Sequence, residues 1–228
     1  MNIRPIKLTL LNHLFYYTEV SGGATSASIT GAFIGDLALN YAFHRVLKAN
    51  ENGYVFRNKP AYNEISDFGF YCTVARPLTI EKVKRTENYI RSTAFNADGL
   101  IALGAKLPQY NNASKSPYKT FRQVQGIAVG SEFIALLIGK EPFALPPTIR
   151  VGITKETLLK VEEVEMKQGE DNFWLNAFTL KTIYNNLEEA MAVLTVERKV
   201  NFSYVLENYA LIKQLSSKTI EAIFKNKF

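Results

Sequence analysis

The hydrophobic period of this chain changes three times, and the order of those changes leaves few architectures open. Ile6-Lys7-Leu8-Thr9-Leu10 alternates apolar and polar residues, the period of a half-buried strand, with Phe15-Tyr16-Tyr17 as a candidate continuation. The small-residue stretch from Ser21 to Ser28 cannot pack a core and reads as a loop. Thr30 is then a candidate N-cap for a helix carrying Ile34, Leu37, Ala38, Tyr41, Ala42 and Val46 on one face. That helix should stop near Lys48, because Asn50-Glu51-Asn52-Gly53 is turn chemistry.

Beyond that turn the chain is mostly strand-like. Tyr54-Val55-Phe56, Gly69 to Val74, Leu78 to Ile90, Thr148 to Ile153, Leu158 to Met166 and Phe173 to Leu180 all read as strands. Phe121 to Ile138 suggests a hairpin turning near Gly130-Ser131, and Pro142, Pro146 and Pro147 interrupt the chain after it. Leu187 to Val196 has the period of a helix. Strand, helix, then several strands with later helices is an α+β order with an antiparallel sheet, not alternating βαβ. A ferredoxin-like or RNA-recognition-like sheet with a long insertion fits it, as do several other α+β folds. No internal repeat and no long linker divides the chain, so one domain over residues 1–228 is expected.

Composition supports one packed core and removes whole classes of protein. Of the 228 residues 47% are hydrophobic, and 15 Phe and 12 Tyr exclude a disordered or collagen-like chain. The longest apolar stretch, Phe133 to Ile138, is far below the roughly 18–20 residues that span a bilayer, so no membrane partner is expected. Arg4, Lys7 and Asn12-His13 interrupt the N-terminus too early for a signal peptide. Cys72 is the only cysteine, which excludes an intrachain disulfide and a cysteine-based zinc site and fits a reducing cytoplasm.

The net charge of +6 lies entirely in one segment. Residues 82–122 hold Lys82, Lys84, Arg85, Arg91, Lys106, Lys115, Lys119 and Arg122 against only Glu87 and Asp98, whereas the flanking segments are balanced. Such asymmetry points to a polyanionic partner; a merely solubilising face is the alternative. Tyr89-Ile90-Arg91 and Lys115-Ser116-Pro117-Tyr118-Lys119-Thr120-Phe121-Arg122 interleave cations with aromatics. Cations neutralise phosphates and aromatic faces stack on unpaired bases, a pattern suited to single-stranded RNA. Tyr89 and Phe121 can equally be core residues of strands with a basic outer face. Gly22-Gly23 with Thr30 offers free backbone N–H groups at an expected helix start, a place for an anion, although no Lys-Ser or Lys-Thr follows as in a Walker loop.

Catalytic chemistry has little support. His13 and His44 are the only histidines, and a general base for cleavage through a 2′-hydroxyl would have to be one of them. His44 sits near the expected helix end beside Arg45 and Lys48, where the dipole alone explains it. The acidic clusters Glu162-Glu163-Glu165 and Glu188-Glu189 lack the partners of a metal site, and no Gly-x-Ser-x-Gly elbow exists. No catalytic residue, metal or cofactor is expected.

Several stretches carry a family resemblance: Leu8 to Tyr16, the segment Ile34-Gly35-Asp36-Leu37-Ala38-Leu39-Asn40-Tyr41-Ala42-Phe43, Lys59-Pro60-Ala61-Tyr62, Phe70-Tyr71-Cys72-Thr73-Val74-Ala75-Arg76-Pro77, and Ile149-Arg150-Val151-Gly152. Together they resemble the Cas-five-type subunit of type I-D CRISPR effector complexes (Csc-one-like, RAMP superfamily), chiefly over residues 3–155. The resemblance implies an RNA-recognition-like core with a protruding arm, here a basic arm at about 82–122. It also implies a non-catalytic subunit that grips the 5′ handle of the crRNA and caps the foot of the backbone. Its implied partners are the backbone subunit, the large subunit and target DNA near the protospacer-adjacent motif (PAM). One relative, in type I-C systems, cleaves the RNA, so a metal-independent endoribonuclease acting through His13 or His44 is the competing reading. The expected RNA contacts are Lys82, Lys84, Arg85, Arg91, Lys115, Lys119 and Arg122, Tyr118 as a stacking residue, and Gly22, Gly23 and Thr30 on the handle backbone.

Overall fold

The computed structural model describes residues 1–15, 17–21, 27–47, 61–87, 89–93, 120–140, 142, 144–151, 157–166, 171–196, 202–206 and 209–228. The first half contains β1 (Asn2–Leu10), β2 (Tyr17–Ser21), β3 (Ala27–Thr30), α1 (Asp36–Leu47), β4 (Phe70–Cys72), β5 (Arg76–Pro77) and β6 (Tyr89–Thr93). Then come β7 (Thr120–Gln125), β8 (Glu132–Gly139), β9 (Thr148–Val151), β10 (Thr157–Glu163) and β11 (Phe173–Asn176). The chain ends with α2 (Leu187–Val196), β12 (Phe202–Leu206), β13 (Tyr209–Leu215) and α3 (Ser217–Phe224).

A mixed α+β fold with a central antiparallel sheet results. Its order is β4-β8-β1-β10-β9, with β5 also on β8. Alternation in β1 explains its central place: Ile6, Leu8 and Leu10 are buried toward α1, and Lys7 and Thr9 stand on the other face. On the α1 side they pack with Phe133, Ala135, Leu137, Leu159, Val161, Leu39, Ala42 and Phe43. The opposite face of β8, through Ile134, Leu136 and Ile138, packs on Phe173, Leu175, Leu211, Ile212, Ile220 and Phe224 of the C-terminal region. Covered on both faces, β8 must be apolar throughout, which is why Phe133 to Ile138 reads as an unbroken run.

One buried polar cluster ties these layers together. Asp36, at the first turn of α1, is fully buried. It accepts hydrogen bonds from Tyr71 Oη at 2.9 Å, Asn176 Nδ2 at 3.1 Å and the Thr179 hydroxyl. Burial pushes its carboxyl above the usual range, and these bonds oppose the shift only in part. Asn40, one turn on, donates to the Asp36 and Cys72 carbonyls at 2.8 and 2.9 Å, while the Cys72 N–H donates back to its Oδ1 at 2.8 Å. α1 therefore serves β4 as a substitute strand neighbour through one amide side chain. Asp36, Asn40, Tyr71 and Cys72 all lie in the stretches that carry the family resemblance.

Several expectations need correction. Thr30 is not an N-cap: it closes β3, paired with Tyr17, and the helix begins only at Asp36. Ile34 cannot be helical because its N–H and carbonyl both bond Ala75, at 2.9 Å each. The stretch from Ser21 to Ser28 is not loop throughout, since Ser21 and Ala27 are paired ends of β2 and β3. Val46 is exposed, whereas Leu39, Asn40 and Phe43 are buried, so the buried face of α1 is broader and turned from the expected stripe. Residues 78–90 are not one strand; a 3-10 turn at Ile80–Lys82 precedes the residues that join β6. β7 and β8 are not a hairpin, because β7 pairs with β3 and β6 while β8 pairs with β1, β4 and β5. Gly130, at φ +79°, turns the corner between the two sheets instead. Leu180 lies in a π-type turn, Thr179–Ile183, so the strand there ends at Asn176. Tyr54-Val55-Phe56 and most of the expected basic arm fall outside the described residues. Between β8 and β10 the described residues hold β9 and no helix, so the second helix of a two-helix ferredoxin-like sheet has no counterpart there.

Candidate nucleic-acid interface

Beyond the central sheet, a second sheet of order β2-β3-β7-β6 carries the basic segment. Its stem is a ladder leading out of the corner at Gly130. The Lys84 N–H donates to Ser131 Oγ at 3.1 Å, and the Ala128 N–H donates to the Lys84 carbonyl at 2.8 Å. Arg85 bridges Ile127. The Thr86 N–H then donates to the Gly126 carbonyl at 3.1 Å, and the Gly126 N–H returns a bond to Thr86 Oγ1 at 2.9 Å. β6 and β7 continue the ladder from Tyr89↔Val124 to Thr93↔Thr120. Lys84, Arg85, Arg91 and Arg122 thus lie along one antiparallel ribbon, with Lys84 and Arg85 exposed. Arg91 and Arg122 occupy the same register position.

Of the remaining candidates, Thr30 lies on the same sheet. Thr30 ends β3, which runs parallel to β7 with Ile29 opposite Gln125. That direction places the Ser21/Ala27 end of the β2–β3 pair on the side where Thr93 and Thr120 leave the ribbon. Gly22 and Gly23 belong to the first connection, and Lys115, Tyr118 and Lys119 to the second; all five lie outside the described residues. The β2–β3 pair and the β6–β7 pair, far apart in sequence, therefore share one sheet.

Lys82 sits apart, at the end of the 3-10 turn, with its Nζ 3.3 Å from Glu132 Oε2. It joins a charge network on the face of the central sheet away from α1, beside the part that the C-terminal region covers, that charge counting along the sequence does not find. Lys7 Nζ stands 3.2 Å from Glu162 and 3.9 Å from Glu132, and Lys160 Nζ donates to Glu162 at 2.7 Å. Hydrogen bonds from Lys160 and Lys7 hold the Glu162 carboxyl below the usual range. β1, β9 and β10 contain no aromatic residue, so this face offers no platform for base stacking, and its lysines Lys7, Lys82 and Lys160 are already matched to carboxylates. Strand alternation at Lys7 and Lys160 is the signal that could have found it, since it puts both on the face away from Leu8 and Val161.

The histidines are held in separate settings. His44, in the last turn of α1, stacks on Phe68 with ring centroids 3.8 Å apart and planes 2° from parallel. His13 is exposed, and its Nδ1 accepts the Val129 N–H at 3.2 Å. Among the described residues no group of three or more His, Cys, Asp or Glu side chains could hold a metal ion. No helix of the described residues is long and apolar enough to cross a membrane.

The chain is thus a mixed α+β protein whose second sheet lines up Lys84, Arg85, Arg91 and Arg122 along one ribbon beside the core. Over residues 1–225 the sequence matches the family described as Type I-D CRISPR-associated protein Cas5/Csc1, and the chain belongs to that family. No curated protein matches it. Among solved structures, a chain of type III-B Cmr-beta in the apo state aligns at 10% identity and TM-score 0.41, covering 72% of this chain and 97% of that one. A chain of type III-B Cmr-beta bound to cognate target RNA and AMPPnP, state 1, aligns at 10% and 0.44, and one bound to cognate target RNA at 9% and 0.43. Each of these two alignments covers 99% of this chain and 90% of the other.

Proposed function

We propose that this chain is the non-catalytic subunit of a type I-D CRISPR effector complex that grips the 5′ handle of the crRNA, and that the ribbon is its grip. The carrying observation is the alignment of Lys84, Arg85, Arg91 and Arg122 along one ladder, in a chain of the Cas5/Csc1 family. Lys115, Lys119 and the stacking residue Tyr118 continue the same basic segment, Gly22, Gly23 and Thr30 supply backbone contacts beside it, and Lys82, held by Glu132, contributes least. The strand order β4-β8-β1-β10 with α1 crossing from β1 to β4 supports an RNA-recognition-like core, with residues 82–122 as its arm. In this reading the subunit caps the foot of the backbone, meets the backbone and large subunits, and helps the large subunit read target DNA near the PAM in the cytoplasm.

Titrating the protein with single-stranded RNA carrying the repeat-derived 5′ end tests the reading. If about five phosphates are neutralised, log affinity should fall with log salt at a slope of about −3.5. Lys84→Ala with Arg85→Ala should weaken binding at nearly unchanged thermal stability, because exposed charges contribute little to folding. A slope near zero would remove the ribbon as the RNA site. Incubation with repeat RNA in EDTA should give no cleavage; specific products lost in His13→Ala or His44→Ala would establish the endoribonuclease instead.

A further inference from the structure

Two arginines at one register position are an unfavourable choice for an isolated ribbon. Residues directly opposite in an antiparallel pair stand about 5 Å apart, close enough that like charges destabilise the pairing. Arg91 and Arg122 hold that relation, in the middle of the five pairs that join β6 to β7. The eleven residues of the two strands, Tyr-Ile-Arg-Ser-Thr and Thr-Phe-Arg-Gln-Val-Gln, contain no carboxylate. The neighbouring β3, Ala-Ser-Ile-Thr, contains none either; Glu19 lies on β2, with β3 between it and β7. On these strands the sequence supplies two cations and no anion.

We infer that Arg91 and Arg122 form a clamp for a single phosphodiester, both guanidinium groups serving one phosphate of a bound single-stranded RNA. This rests on the proposed RNA-binding role and adds to it a specific site with a fixed stoichiometry. A phosphate is the ligand that fits, because guanidinium forks match its oxygens bidentately and its charge removes the cross-strand repulsion. A clamp at one rung also fixes where the RNA backbone crosses the ribbon, since phosphate contacts set register and carry no base information.

The count distinguishes the clamp from two independent contacts. The salt slope reports phosphates neutralised, at about 0.7 per phosphate for a single strand. With repeat-derived 5′ handle RNA as the probe, Arg91→Ala and Arg122→Ala should each leave the slope nearly unchanged, because the other arginine still neutralises the phosphate, while the double variant should shift it by about 0.7. The affinity losses of the single variants should not add in the double. The RNA-free protein should respond in the opposite direction: Arg91→Glu, which places opposite charges at one register position, should raise Tm by up to about 3 °C while cutting RNA affinity at least about tenfold. Additive losses with a slope change of about 1.4 in the double variant would mean two separate phosphates and would overturn the clamp. So would a Tm lowered by several degrees in every variant, which would show both side chains already partnered in the free protein. Should Lys84→Ala with Arg85→Ala weaken binding while the arginine variants do not, the clamp fails and the ribbon reading stands. Should none of them matter, the ribbon reading itself fails.

Discussion

Gly126→Ala should destabilise the fold at the point where the basic ribbon leaves the central sheet. A Cβ added at Gly126 would lie 2.5 Å from the Leu14 carbonyl oxygen and 2.8 Å from two ring carbons of Phe15. Ordinary contact begins near 3.4 Å, so the Leu14 backbone would have to retreat by about 0.9 Å. It is poorly placed to do so. The Leu14 N–H donates to the Ile127 carbonyl and its own carbonyl accepts the Ile127 N–H, both at 2.9 Å, and Leu14 is fully buried. Gly126 cannot move away either, since its N–H and carbonyl are both engaged by Thr86. Overpacking of this kind costs about 1–3 kcal/mol. Where no clash exists, Gly→Ala instead stabilises by about 0.4–1 kcal/mol through the unfolded chain, so the sign alone discriminates. For a chain of this size each kcal/mol moves Tm by about 2–4 °C. Calorimetry should therefore find Tm lowered by about 2–12 °C, and RNA affinity reduced because the ladder runs through this contact. An unchanged or raised Tm would refute the claim that Gly126 is required by close approach.

Three further outcomes are expected. Asp36 has its folded pKa raised by burial, so the stability it contributes is complete below the ordinary value of 3.8 and is lost as pH rises through the folded value; urea midpoints of Asp36→Asn should fall less over that window than those of the native protein, and parallel curves would contradict the assignment. Asn40→Leu should cost at least about 2 kcal/mol, measured by urea unfolding, because it strands the buried Cys72 N–H and carbonyl. Cys72 is fully buried, and burial pushes its thiol well above its ordinary value, so alkylation by iodoacetamide at about pH 8 should proceed only at the rate of unfolding; fast labelling of the native protein would contradict its placement.

How much of the fold is legible in the sequence depends on how local the relevant physics is. Period-2 alternation in β1 and the helix over Leu187–Val196 are local, and both stand in the structure as the pattern predicts. Thr30 resembles a helix N-cap because Gly31 and the small residues before it look like a helix approach, while the competing interaction, pairing with Tyr17, is tertiary. The separation of β7 from β8 is hidden for the same reason: Gly130 gives the turn, but only the partners of each strand show that it joins two sheets. For the site, charge counting finds the segment, and topology then shows that Arg91 and Arg122 share a rung. Asn40, in the apolar stretch from Leu37 to Phe43, is a visible sign of a buried amide. Among the residues that make the family recognisable, Asp36, Asn40, Tyr71 and Cys72 join α1 to β4, so they report the framework rather than the grip.

Photocrosslinking of the assembled effector complex, followed by mass spectrometry of the RNA-linked peptides, tests the central claim most directly. The account predicts crosslinks from the 5′ handle to peptides spanning residues 82–93 and 120–131. Crosslinks confined to the RNA 3′ end, or falling on the central sheet at Lys7 and Lys160 while the ribbon stays unmodified, would contradict it.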